Sequence, residues 1–98
     1  MIQSKSEFKH LIDAQYKTLK KVFFVKKLGV FGSFSRSEQT EKSDLDVLVE
    51  FEKPVGIFTF VRLQNRLSDL SGRKVDLATP KSLKKITKNE ILQEVEWI

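Results

Sequence analysis

Apolar residues recur at two spacings along this chain, and the spacings divide it into elements. Phe8, Leu11, Ile12, Tyr16 and Leu19 return every three or four positions, the period of a helix with one buried face. Ser4 with Glu7 three residues later has the form of a capping box at the helix start. The pattern carries this helix to about Lys20 or Lys21, and His10 lies off its apolar stripe as a surface residue. Val22-Phe23-Phe24-Val25 and then Leu28 to Phe31 predict a first strand ending near Gly32. The pattern does not divide helix end from strand start within that run.

Residues 32 to 43 are small, polar and charged, the composition of a loop or one short helical turn. Leu45, Val47, Val49 and Phe51 then alternate with Asp44, Asp46, Leu48 and Glu50, which predicts a strand with one apolar and one mixed face. Pro54 and Gly56 punctuate its end. Phe60, Leu63, Leu67 and Leu70 form the stripe of a second helix that stops at Gly72. Lys74 to Ala78 reads as a short third strand. Thr79-Pro80 is a helix-start signal, a capping hydroxyl before a proline. Asn89 to Trp97 reads as the last helix, with Ile91, Leu92 and Val95 turned inward, and Phe58, Phe60 and Trp97 are expected in the core, with an interface as the alternative for any exposed part of them. Helix, strand, loop, strand, helix, strand, helix predicts one small α/β (α+β) domain over residues 1–98, a mixed sheet of about three strands flanked by helices.

Composition removes several classes of function. With no cysteine there is no disulfide or thiolate metal site, and a single histidine argues against zinc. No apolar run is long enough to span a membrane, and the first ten residues lack the apolar stretch of a signal peptide, so a cytoplasmic protein is expected. The net charge of +5 is unevenly spread, with lysines early (Lys17, Lys20, Lys21, Lys26, Lys27) and late (Lys81, Lys84, Lys85, Lys88) and acids between. Solvated helix faces account for this; so does attraction to a phosphate-bearing ligand or an acidic partner. Aromatic and basic residues do not alternate as in a base-stacking surface, so no direct nucleic-acid partner is expected.

Two aspartates opening an apolar strand are costly for folding alone, since Asp is a poor strand former. Asp44 and Asp46 are two apart, so they share a face, with Cα atoms about 6.6 to 7 Å apart. Such a pair can clamp Mg²⁺, which prefers oxygen ligands and shares its shell with substrate phosphate. Gly32-Ser33 supplies the complement: a backbone that can approach a phosphate, N–H groups that attract anions and a hydroxyl. Arg36 adds a planar donor fork for phosphate. Antiparallel pairing of the first two strands would bring Ser33 and Asp46 together. Asp76, between Val75 and Leu77, would complete a carboxylate triad if the third strand neighbours the second, sharing a metal or taking a proton from an attacking hydroxyl.

The stretch GSFSRSEQTEKSDLDVLVEF resembles the Gly-Ser, Arg, Ser-Asp-x-Asp pattern of the minimal nucleotidyltransferases (MNT) in the DNA polymerase beta-like superfamily, and KVDLATPKSLKK resembles the segment carrying that family's third acid. The likeness spans residue 29 to about 98, and the N-terminal helix also suits it. It implies a nucleotidyltransferase fold. By residue it implies Gly32, Ser33 and Arg36 on the nucleotide triphosphate, Asp44 and Asp46 on two Mg²⁺ ions, and Asp76 as third acid. It further implies an antitoxin that attaches AMP from ATP to a tyrosine of a HEPN-domain toxin, with a partner-masking module lacking catalysis as the alternative. Members often carry Arg-Gly-Glu where this chain has Arg36-Ser37-Glu38. Serine enters the left-handed region only at a cost, so nucleotide binding is expected to weaken if that position is left-handed.

Overall fold

A computed structural model describes the backbone of Met1–Ile98 and the side chains of all residues except 85 and 86. The first helix, α1, runs Lys5–Phe23. Its start is the predicted one: the Glu7 N–H donates to Ser4 Oγ at 3.1 Å, and the Glu7 carboxylate accepts from the Gln3 N–H at 3.0 Å. Its end is later than the apolar spacing predicts. Val22 and Phe23 complete the last turn, and Phe24, at φ 58°, caps the helix by donating its N–H to the Leu19 carbonyl. Strand β1 then runs Val25–Phe31.

A 3-10 turn over Gly32–Phe34 opens the polar loop, and β2 follows at Leu45–Phe51. Helix α2 spans Ile57–Ser71 and ends at Gly72, as expected from its stripe, and β3 spans Val75–Ala78. Thr79 caps as predicted, accepting from the Ser82 N–H, but opens only the 3-10 turn Pro80–Ser82. Helix α3 is Lys85–Glu94. It does not reach Trp97: Glu96–Trp97 forms a further strand, β4.

The mixed sheet therefore has four strands, in the order β3-β2-β1-β4. β1 is antiparallel to both β2 and β4, and β2 is parallel to β3. β4 exists because of a missing side chain. A Cβ on Gly29 would lie 2.5 Å from Val95 Cγ2 and 2.9 Å from Trp97 Cε3, so only glycine lets the returning chain approach. The Ile98 N–H then donates to the Leu28 carbonyl at 2.8 Å, and the Trp97 ring lies 4.1 Å from the Lys27 ammonium.

Strand alternation sorts the sheet into two faces. Leu28, Val30, Leu45, Val47, Val49, Val75 and Leu77 join Phe8, Ile12, Leu19 and Phe23 of α1 and Leu63 and Leu67 of α2 in one core cluster. The intervening residues, Asp46 and Asp76 among them, belong to the other face. Of the aromatics expected inside, Phe60 is partly buried against the core, whereas Phe58 is 83% exposed and Trp97 lies at the surface of β4. Phe58 sits in the first turn of α2 beside exposed Ile57, off the Leu63–Leu67 stripe. No helix among the described residues is long and apolar enough to cross a membrane.

Candidate functional site

Strand register assembles the site. Phe31, the last residue of β1, is paired with Asp46, and Asp46 is paired with Asp76 on its other side. The end of β1, with Gly32 next in the chain, thus meets the start of β2, and both inner aspartates stand side by side on the face away from the core. Gly32 has φ 72°, and a Cβ there would lie 2.2 Å from Asp46 Oδ2. Asp44, one residue before β2, is exposed, as is Asp76, while Asp46 is half-buried.

The loop after β1 has its own geometry. Ser35 and Arg36 N–H groups both donate to the Gly32 carbonyl, at 3.1 and 3.2 Å. The Ser37 N–H donates to the Phe34 carbonyl at 3.3 Å, and the Glu38 N–H to the Ser33 carbonyl at 2.9 Å. Those two bonds, with Ser37 at φ 57°, make a Schellman motif whose left-handed position usually holds glycine. The conformation that the Arg36-Ser37-Glu38 departure brought into question is the one the chain adopts. At the start of the turn, the first N–H groups have no acceptor within it, a property suited to an anionic oxygen.

Electrostatics single out Asp46. Its carboxyl is pushed up to about 6, first by burial, then by the negative charges of Asp76, Asp44 and Glu94, with Arg36 opposing them. Such a concentration of like charge on oxygen donors alone fits a hard divalent cation, which would relieve it. Among the described residues no three acids close around a point as a finished metal cage. Exposed Asp44 and Asp76 flank half-buried Asp46 instead, so a cation held there would still have room for water and substrate in its shell. The groove of about 330 Å³ bordered by Lys5, Lys9, Val30 and Trp97 includes none of them.

Arg36 is placed beside this cluster but is occupied. Its Nε donates to Glu38 at 2.8 Å and its Nη1 pairs with Glu94. Both carboxylates hold the guanidinium in its charged form. Glu94 escaped the sequence reading, as an acid near the end of a surface helix carries no distinguishing signal. Arg73 escaped it too. It is buried, donates Nε to the Ile2 carbonyl at 2.6 Å and Nη1 to the carbonyls of Thr40 and Ser43 at 2.8 and 2.9 Å, and lies over the Phe34 ring at 4.8 Å. One guanidinium thus ties the N-terminal segment to the far end of the loop, including the residue before Asp44, and rests on Phe34 near the loop's start. An arginine ahead of a strand reads as solvated, and its acceptors are carbonyls, which leave no mark in a sequence.

Known proteins resemble this chain in sequence and in fold. The chain is 38% identical over 92 residues to the protein adenylyltransferase MntA of Thermococcus cleftensis, covering 94% of this chain and 93% of that one. A solved structure assigned as a minimal nucleotidyltransferase superposes with a TM-score of 0.74 at 27% identity, over 94% of this chain and 89% of that one. The fold also matches, with a TM-score of 0.62 at 17% identity over 90% of this chain and 69% of the other, a chain from the complex of a tri-AMPylated HEPN toxin of Shewanella oneidensis with its MNT antitoxin. A family model describing a nucleotidyltransferase domain matches residues 12–98, which contain the Gly32 loop and all three aspartates. The chain belongs to the nucleotidyltransferase domain family.

Proposed function

We propose that this protein is a Mg²⁺-dependent adenylyltransferase that moves AMP from ATP to a tyrosine of a HEPN-domain partner, as the antitoxin of that partner. The observation that carries this reading is the register Phe31–Asp46–Asp76, which sets the Gly32 turn against two carboxylates on an exposed face. An exposed site suits an acceptor that is itself a folded protein. The names of MntA and of the AMPylated HEPN complex support donor and partner.

The roles divide by chemistry. Gly32 and Ser33 receive the triphosphate through backbone N–H groups and the Ser33 hydroxyl, and Arg36 offsets phosphate charge. Asp44, Asp46 and Asp76 would hold two Mg²⁺ ions, which would supply stabilisation of the negative charge on the adenylyl group in transfer. The acceptor oxygen attacks the α-phosphorus, the bond to the bridging oxygen breaks, and pyrophosphate leaves. Asp76 would take the hydroxyl proton, a role its register beside Asp46 supports.

The test is the intact mass of the HEPN partner after incubation with this protein, with ATP and Mg²⁺ and with either omitted. An adenylyl increment that requires both supports the reading. One observation favours a second reading, in which the chain silences its partner by covering it: Ser37 holds a strained conformation in the nucleotide loop. Stoichiometric inhibition without ATP and without mass change would establish that reading instead.

A further inference from the structure

Arg36 is the cation nearest in role to the nucleotide, yet a carboxylate from the far end of the chain already occupies it. Glu94, the last residue of α3, pairs with Arg36 Nη1, and its backbone is held as well: Ser35 Oγ donates to the Glu94 carbonyl at 3.1 Å. Lys5 extends the clasp, donating to the Ser35 carbonyl at 3.3 Å and pairing with Glu96 at 2.7 Å. The loop of residues 32–38 and the segment from Glu94 to β4 are therefore joined at three points, of which the guanidinium–carboxylate pair is the one an incoming anion can contest.

We infer that Glu94 is a positioning residue that sets nucleotide affinity by occupying Arg36 in the empty site and yielding it to the triphosphate. The inference rests on the reading that Arg36 meets nucleotide phosphates. A carboxylate and a phosphate oxygen present the same acceptor geometry to the guanidinium fork, so the two compete for it. Affinity is then the intrinsic value scaled by the fraction of molecules in which Nη1 is free of Glu94, while Nε can stay with Glu38. Release of Glu94 also loosens the last strand, whose pairing with β1 covers two residues and is extended by the single bond from Ile98 to Leu28. Nucleotide occupancy is thereby communicated to the surface formed by α3 and β4.

The test measures binding of Mg²⁺ with a non-hydrolysable ATP analogue by calorimetry, in wild type, Glu94→Gln, Arg36→Ala and the double variant. Glu94→Gln should tighten binding about twofold to fivefold, within the range of one partly exposed ion pair. In the Arg36→Ala background the same change should alter affinity by less than about twofold, because no guanidinium remains to be freed. An equal gain in both backgrounds would mean simple charge repulsion and overturn the inference, as would unchanged or weaker binding in Glu94→Gln. Hydrogen exchange of wild-type Val95–Ile98 amides should speed up when the analogue binds, a readout that needs no variant; slower or unchanged exchange counts against the inference. Failure of wild type to bind any nucleotide overturns the functional reading itself and this inference with it, an outcome distinct from binding that ignores Glu94.

Discussion

The carboxylate of Asp46 fills the space that a side chain on Gly32 would take, since a Cβ there would stand 2.2 Å from Asp46 Oδ2. Gly32→Ala meets two penalties at once. An L-residue at φ 72° costs roughly 1–2 kcal/mol, and the methyl group pushes the Asp46 carboxylate aside. Displacing a reacting group by about 1 Å can cost about 10²-fold in rate. The expected outcome is a folded protein with a lowered unfolding midpoint and transfer reduced about 100-fold. Full activity in Gly32→Ala would show that the contact has no bearing on the reaction.

Asp46→Asn should separate activity from stability. Without the carboxylate, metal-dependent transfer should fall by about 10³-fold or more. Stability should move the other way in metal-free buffer. The folded-state pKa of Asp46 lies above its ordinary 3.8, at about 6, so the folded form binds the proton more tightly than the unfolded chain. That contribution is complete below pH 3.8 and is lost as pH rises through about 6. Thermal melts of both proteins in EDTA should show Asp46→Asn the more stable at pH 7.5, with the gap closing toward pH 5. A less stable variant at pH 7.5 would contradict the electrostatic account.

Ser37→Gly should stabilise the protein by about 0.5–1 kcal/mol. The left-handed residue of the Schellman motif costs serine roughly 1–2 kcal/mol, part of which glycine returns through the larger entropy of its unfolded chain. Urea titration checks this at equal slope. Ser37→Val, β-branched in the same conformation, should destabilise.

Ser33→Ala and Arg36→Ala should raise the KM for ATP several-fold while changing kcat less, because both contact phosphates already present in the ground state. The Arg36→Ala effect should diminish in high salt, where an exposed charge is screened. Steady-state kinetics over a range of ATP and salt measure both. A fall in kcat at unchanged KM would place these residues in the chemical step instead.

Legibility from sequence followed the range of the interactions. The start of α1 was readable because Ser4 and Glu7 act within one turn. Its end was not: Val22 and Phe23 are apolar like a strand, and Phe24 caps left-handed without being glycine. The pairing of Asp46 with Asp76 was foreseen only conditionally, on the third strand lying beside the second, which topology alone decides. β4 left no periodic trace in two residues, and its cause, the bare Cα of Gly29, lies far earlier in the chain. Phe58 was expected inside on its apolarity alone, whereas helical phase turns it outward. Glu94 and Arg73 act on partners dozens of residues away, and Arg73 on carbonyls that every residue possesses.

Arg73 has a consequence for how the loop can melt. Its guanidinium gathers carbonyls from the N-terminal segment and from both Thr40 and Ser43, and it rests on Phe34. Opening residues 35–43 would take two of the three carbonyl acceptors, those of Thr40 and Ser43, from a buried cation and leave it only Ile2, a penalty of about 3–5 kcal/mol for a buried charge that loses its partners. The loop is long and polar, the composition of a segment that frays on its own, yet this anchorage is expected to tie its opening to the unfolding of the whole chain. Cleavage between Thr40 and Ser43 should then follow the global stability of the protein rather than the mobility of a loop, with a protection that falls in step with denaturant-induced unfolding.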